Sequence, residues 1–185
     1  MTTIYFVRHG QTDYNFERCL YGSTDVPINT TGEAQAESAA LKLKEIKFDK
    51  IYCSTMKRAQ QTCAIINQFH NLEIISNKDI VERAYGEYEG VLESSIPNIQ
   101  KWKLDSWSFA LNIEYENGVE NITHLKDRVW KALEQIIKDN DGKTILIVAH
   151  CGVGRVLRAY FNGIPEDGNI NSYRLANGDI WKYTK

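Results

Sequence analysis

Short apolar runs alternate along this chain with longer stretches whose apolar residues keep helical spacing, and that alternation restricts the fold more than any other feature. Thr3–Val7, Lys50–Cys53 and Leu72–Ile75 read as strands, and Lys143–Ala149, with its Ile-Leu-Ile-Val centre, as the strongest of all. A helix is expected from Thr30 to about Ile46, opened by the capping-box pair Thr30 and Glu33. Ser54 is placed to cap a second helix, on which Ala59, Cys63, Ile66 and Phe69 share a face. Ile122, Leu125, Val129, Leu133 and Ile136 mark a long amphipathic helix, and Gly152–Phe161 fits another. Tyr173–Ala176 and Ile180–Tyr183, separated by Asn177 and Gly178, predict a closing hairpin. Strands alternating with helices give an α/β fold in three layers, a mostly parallel central sheet flanked by helices.

The 185 residues suffice for one core, and no repeat, low-complexity tract or linker divides them, so residues 1–185 read as a single domain. Within it, residues 84–118 are irregular and rich in aromatics, as expected of a lid or specificity insert. The aromatics Trp102, Trp107, Phe109 and Tyr115 there are expected to pack the core or the lid.

Charge and cysteine usage narrow the function classes. A formal net charge of -2, with scattered Lys and Arg, argues against binding nucleic acid or an acidic membrane surface. No run of residues is apolar for long enough to span a bilayer, and the first residues do not form a signal peptide. Cys19, Cys53, Cys63 and Cys151 include no C-x-x-C pair, which disfavours a zinc or thioredoxin-like site. Reduced thiols and a cytoplasmic location are the expectation.

Ligands of parallel α/β sheets bind beyond the carboxyl ends of the strands. The first strand delivers Arg8-His9-Gly10 to that edge, and Lys143–Ala149 delivers His150-Cys151-Gly152 to the same edge. Lys50–Cys53 delivers Ser54 and, a helical turn later, Arg58. Two arginines beside two histidines suit a phosphate dianion, because guanidinium forks match its oxygens. A neutral imidazole can attack phosphorus, while the cations stabilise charge on the transferring oxygens.

Phe6-Val7-Arg8-His9-Gly10-Gln11-Thr12, followed by Asn15, resembles the signature of the histidine phosphatase superfamily, also called phosphoglycerate mutase-like. The resemblance covers nearly the whole chain. It continues through Tyr21–Ile28, Thr31–Ala36, Ser54–Thr62, Glu82–Gly90 and Val148–Gly152. It implies a phosphoglycerate mutase-like fold, with His9 as a nucleophile that becomes phosphorylated and Arg8, Arg58 and His150 around the phosphoryl group. It also implies that Glu82 is the general acid that protonates the leaving alcohol. Gln11, Asn15, Tyr21 and Gly22 would contact phosphate or substrate. No metal and no cofactor is implied. Two departures stand out: Cys151 occupies a position where many relatives have glycine, so its side chain is expected to narrow the pocket, and Thr55 replaces a common proline.

The reading that follows is a phosphatase for phosphomonoesters of small metabolites, acting through a phosphohistidine on His9. The partner implied is a small phosphorylated metabolite, neither nucleic acid nor membrane, with the chain acting as a monomer or a homodimer. A mutase that moves phosphate between hydroxyls is the alternative, since the same site serves both. The short stretch from Ala84 to Gly118 favours access of water and hence hydrolysis. A non-catalytic phosphate-binding domain is the third reading, disfavoured because Arg8, His9, Arg58, Glu82 and His150 are all present.

Overall fold

The structure, a computed structural model, describes residues 1–185. Strands β1 (Thr3–Arg8), β2 (Lys50–Ser54), β3 (Ile74–Asn77), β4 (Thr144–Ala149) and β5 (Ile180–Thr184) form one sheet in the order β3-β2-β4-β1-β5. The first four run parallel, and β5 pairs antiparallel with β1 at the edge. Six α-helices accompany them: α1 (Asp13–Glu17), α2 (Thr30–Leu43), α3 (Lys57–Asn67), α4 (Ile99–Ser106), α5 (Ile122–Asp139) and α6 (Cys151–Asn162).

The period of two in the strands sorts the core into two layers. Ile4 and Phe6 of β1, with Ile145, Ile147 and Ala149 of β4, face α5 and α6. Val7, Leu146 and Val148 point the other way, onto the Ala39–Leu43 stripe of α2 and onto Ala59, Cys63 and Ile66 of α3. Each fully buried aliphatic side chain contributes about 1.5–3 kcal/mol, so a polar substitution at Leu146 or Ile147 would break the sheet's centre.

The topology places a crevice between β1 and β4. From the carboxyl end of β1 the chain departs toward α2 on one face, whereas from β4 it enters α6 on the other. Neighbouring strands whose connections diverge in this way open a cleft at their carboxyl ends. The β1/β4 register pairs Arg8 with Ala149, and one further bond, from His9 N–H to the Ala149 carbonyl at 3.0 Å, carries it to the histidines.

Several local expectations are revised. The loop between β1 and α2 contains α1, capped by Thr12 through a box with Asn15. The cap of α2 is Asn29, which accepts from Gly32 N–H, not Thr30. Helix α3 begins after Met56 rather than at Ser54, and Asp25 of a distant loop accepts from its first N–H, that of Lys57, at 2.7 Å. Strand β3 lies two residues later than the apolar run at Leu72 suggested. The closing hairpin does not form: Tyr173–Ala176 is not a strand, and Ile180–Thr184 pairs with β1 instead. The reason is competition, because β1 offers a buried edge while an isolated two-stranded ribbon is marginal. Within residues 84–118 the eight-residue α4 and short 3-10 turns replace the irregular chain that was expected. These elements pack Tyr85 and Ile96 against Leu20, flanked by Tyr88 and Trp102.

Candidate active site

The site starts from two close backbone approaches. A Cβ on Gly10 would lie 2.2 Å from the Gly32 carbonyl oxygen, so only glycine lets the turn after His9 rest on the start of α2. Gly10 N–H donates to Thr62 Oγ1 at 3.0 Å, which fixes that turn from α3.

His9 is 2% exposed, less open than a nucleophile at a crevice edge suggested, yet its ring lines the crevice. His9 Nδ1 lies 2.7 Å from the Gly10 carbonyl oxygen. A carbonyl can only accept, so Nδ1 carries the hydrogen and the lone pair of the neutral ring sits on Nε2. Burial, reinforced by the charges of Arg58 and Arg8, holds the His9 pKa well below its ordinary value, so the ring is neutral at pH 7.

His150 has the opposite tautomer. Arg58 Nε–H donates to His150 Nδ1 at 3.3 Å, so Nδ1 accepts and Nε2–H donates to Ser54 Oγ at 2.7 Å. Burial, then Arg58, His9 and Arg8, push its pKa well down as well. The two imidazole centroids lie 5.1 Å apart. His150 does not itself line the crevice but stands behind Arg58.

Arg8 and Arg58 both line the crevice. Arg8 spends Nη1 on the Leu175 carbonyl at 2.9 Å, while its buried Nε has no protein partner. Arg58 gives Nη1 to Thr24 O at 2.9 Å and Nη2 to Gly22 O at 2.7 Å, and its guanidinium lies over the Tyr21 ring at 4.7 Å. The same loop is gripped from its other side by Glu89, which accepts from the N–H groups of Gly22, Ser23 and Thr24 and from that of Tyr85. Burial opposes ionisation of Glu89, but these bonds outweigh it and hold its carboxyl below the usual range.

Glu82 is 9% exposed and packs against the first turn of α6. Both of its oxygens accept from Gly152 N–H at 3.1 Å, and Oε1 also accepts from Arg83 N–H at 2.7 Å. Oε2, with Gly152 N–H alone, has the fewer protein donors.

The remaining candidates divide. Asn15 lines the crevice, and its Oδ1 is held by Asn177 Nδ2 at 3.1 Å, leaving its own amide hydrogens to face a ligand. Tyr21 lines it too, with its hydroxyl 2.7 Å from Thr12 Oγ1. Cys151, the first residue of α6, lines it as well. Gln11 and Gly22 do not: the Gln11 carboxamide accepts from Asn29 Nδ2, and Gly22 is bound by Arg58 and Glu89. Two positioning roles escaped the sequence reading, although it delivered Ser54 to the same sheet edge. Ser54 fixes His150 rather than capping a helix, and Asn177, read as a turn residue, donates to His9 O at 3.0 Å as well as to Asn15. Nothing in local sequence signals either, because both partners are distant along the chain.

The crevice encloses about 260 Å3 and is walled on its outer side by α4 through Gln100, Trp102 and Lys103. A buried neutral imidazole, two arginines and a carboxyl at its edge can together accept, stabilise and release a phosphoryl group.

Residues 4–183 match the family model of the histidine phosphatase superfamily (branch 1). The uncharacterised phosphatase PhoE of Bacillus subtilis is 36% identical over 178 residues, spanning 96% of this chain and 85% of its own. A 2,3-bisphosphoglycerate-dependent phosphoglycerate mutase of Cytophaga hutchinsonii is 33% identical over 184 residues, spanning 96% of this chain and 85% of its own. The solved structure of YhfR from Bacillus stearothermophilus superposes with a TM-score of 0.86 at 26% identity, covering 98% of this chain and 90% of that one.

Proposed function

The chain belongs to the histidine phosphatase superfamily, branch 1, and on that premise we propose that it hydrolyses phosphomonoesters of small metabolites with His9 as the nucleophile. The observation that carries this reading is the tautomer of His9: Nδ1–H is committed to Gly10 O at 2.7 Å, so the neutral ring directs its lone pair through Nε2.

In the first step Nε2 attacks phosphorus opposite the ester oxygen. The N–P bond forms, the P–O ester bond breaks, and the leaving oxygen takes the proton from Glu82 Oε2. Arg8 and Arg58 hold the equatorial oxygens as charge develops on them. His150 backs this arrangement by fixing the Arg58 plane from Nδ1. In the second step water attacks phosphorus while Glu82 takes its proton. The N–P bond breaks, Nε2 regains its lone pair, and inorganic phosphate leaves.

Residues 84–118 act as the specificity lid of a single domain, covering the leaving-group side through Tyr85, Trp102 and Trp107. This cover includes only one helix, α4. The free thiols of Cys19, Cys53, Cys63 and Cys151 suit a reducing compartment such as the cytoplasm. No helix is long and apolar enough to cross a membrane.

The test is phosphate release from a panel of phosphorylated metabolites, with isomer formation followed in parallel. Free phosphate from one or a few compounds is expected. Isomers with little free phosphate would replace this reading with a mutase.

A further inference from the structure

Trp107 ties residues 84–118 to the body of the protein. Tyr85 and Ile96 of that stretch pack in a small cluster with Leu20, whereas Trp107 joins the large core layer of α5 and α6. It stands at the carboxyl end of α4, is 2% exposed and still lines the crevice. Its carbonyl accepts from Ile170 N–H at 3.0 Å, and Phe109 N–H donates to Gly168 O at 2.9 Å, so the backbone on which it sits is fastened to the segment after α6.

The groups around the indole match its charge distribution. An aromatic face is negative and its edge positive. Two guanidinium carbons lie over the ring, that of Arg155 at 4.1 Å and that of Arg83 at 4.8 Å from its centre. The edge meets the carboxyl of Glu82. A Cβ built on Gly152 would collide with Glu82 Oε1 and stand 3.0 Å from Trp107 Cη2, so the carboxyl and the far edge of the indole converge on one point above Gly152.

Arg83 closes the circuit. It is fully buried, its N–H donates to Glu82 Oε1 at 2.7 Å, and its Nη1 donates to the carbonyl of Ser106, the residue before Trp107, at 2.7 Å. Glu82, Arg83, Ser106, Trp107 and Gly152 therefore hold one another, and Oε1 is the oxygen enclosed between them.

We propose that Trp107 is a positioning residue for the carboxyl of Glu82: the far edge of its indole, with Arg83 and Arg155 over the ring, fixes the rotation of that carboxyl for proton transfer to the leaving oxygen. The inference rests on the phosphatase reading above, in which Glu82 donates that proton. A residue of the lid thus acts on the chemical step through Glu82 and not only as a cover.

The test compares two kinds of phosphomonoester that differ in their need for an acid. p-Nitrophenolate departs readily without a proton, whereas an alkoxide does not. The quantity measured is kcat for the alkyl ester of the metabolite panel that is hydrolysed fastest, divided by kcat for p-nitrophenyl phosphate. It is determined in the wild-type protein, in Trp107→Phe, in Glu82→Gln and in the double variant, with circular dichroism to verify folding. Phenylalanine keeps an aromatic ring for the two arginines but lacks the far edge that carries Cη2. In Trp107→Phe the ratio should fall by about 10-fold, part of the roughly 100- to 10,000-fold that a general acid supplies, and in Glu82→Gln it should fall further. Adding Trp107→Phe to Glu82→Gln should change the ratio no more, because two residues that act through one group are not additive. A Trp107→Phe ratio equal to that of the wild-type protein overturns the inference and leaves the phosphatase reading standing. So does a further fall in the double variant, which would mean that Trp107 acts on the leaving group directly. A wild-type ratio in Glu82→Gln removes Glu82 as the acid, and this inference with it. Release of phosphate from no alkyl ester of the panel overturns the phosphatase reading itself.

Discussion

Glu82 and Gly152 fit each other with no room for another atom: both carboxylate oxygens lie 3.1 Å from Gly152 N, and a Cβ on residue 152 would stand 2.3 Å from Glu82 Oε1. The glycine is thus a positioning residue for the carboxyl proposed as the general acid. Gly152→Ala should displace the carboxyl and lower kcat by at least about 10-fold, approaching the roughly 100- to 10,000-fold that loss of a general acid removes. Glu82→Gln should show the full loss. Steady-state phosphate release, with circular dichroism to verify folding, checks both; a Glu82→Gln variant of wild-type rate would mean that Glu82 is not the proton donor, and a Gly152→Ala variant of wild-type rate that the glycine does not position it.

His9→Ala should abolish turnover, because in the proposed reaction it is the lone pair on Nε2 that attacks phosphorus. Wild-type protein quenched in alkali during turnover of a radiolabelled phosphomonoester should retain covalent label, which acid then releases. The His9→Ala protein should retain none. Label that persists in the variant would move the nucleophile elsewhere.

The buried histidines make stability depend on pH in a definite direction. Both His9 and His150 are held well below 6.5 in the folded state by burial and by the neighbouring arginines. Below pH 6.5 the unfolded chain binds protons that the folded chain does not, so stability is fully present above that pH and is lost as pH falls toward the folded-state pKa values. Tm should therefore drop on acidification from pH 7 to pH 5, more steeply in the wild-type protein than in His150→Asn. The acid limb of kcat/KM should also lie below pH 6.5, because the proposed nucleophile is the neutral form of His9. A limb at or above pH 6.5 would contradict the depressed value.

Glu89 and Arg58 clamp residues 22–24 from opposite sides, the carboxylate through N–H groups and the guanidinium through carbonyls. Glu89→Gln should destabilise the protein by roughly 1–3 kcal/mol, the scale of hydrogen bonds to a charged group. It should also raise KM by loosening Arg58. Thermal melts and steady-state kinetics test the two effects together.

Arginine charge, not a Lewis acid, stabilises the transferring oxygens in the proposed reaction. Dialysis against EDTA should leave the rate unchanged. Inhibition reversed by an added divalent cation would require a different chemistry.

The sequence by itself determined the layered architecture and the identity of the central residues. The continuous apolar run Ile145–Ala149 and the helical spacing in Ile122–Ile136 are local patterns, the first of a strand buried on both faces and the second of a helix buried on one, and they survive in β4 and α5. The Arg8-His9-Gly10 and His150-Cys151-Gly152 triplets were legible because strand ends in a parallel sheet are where ligands bind. Tertiary structure alone decided how those groups are tuned. Ser54 could cap a helix or orient His150, and only the alignment of β2 with β4 selects the second. Asn177 could serve a hairpin turn, but β1 takes up Ile180–Thr184 and turns its amide onto His9 and Asn15. Arg155 carries no local mark at all; the lack of a partner for its Nε exists only once α6 and Trp107 pack together. Burial and hydrogen-bond satisfaction are properties of the assembled fold, because each depends on groups that the chain brings together from far apart.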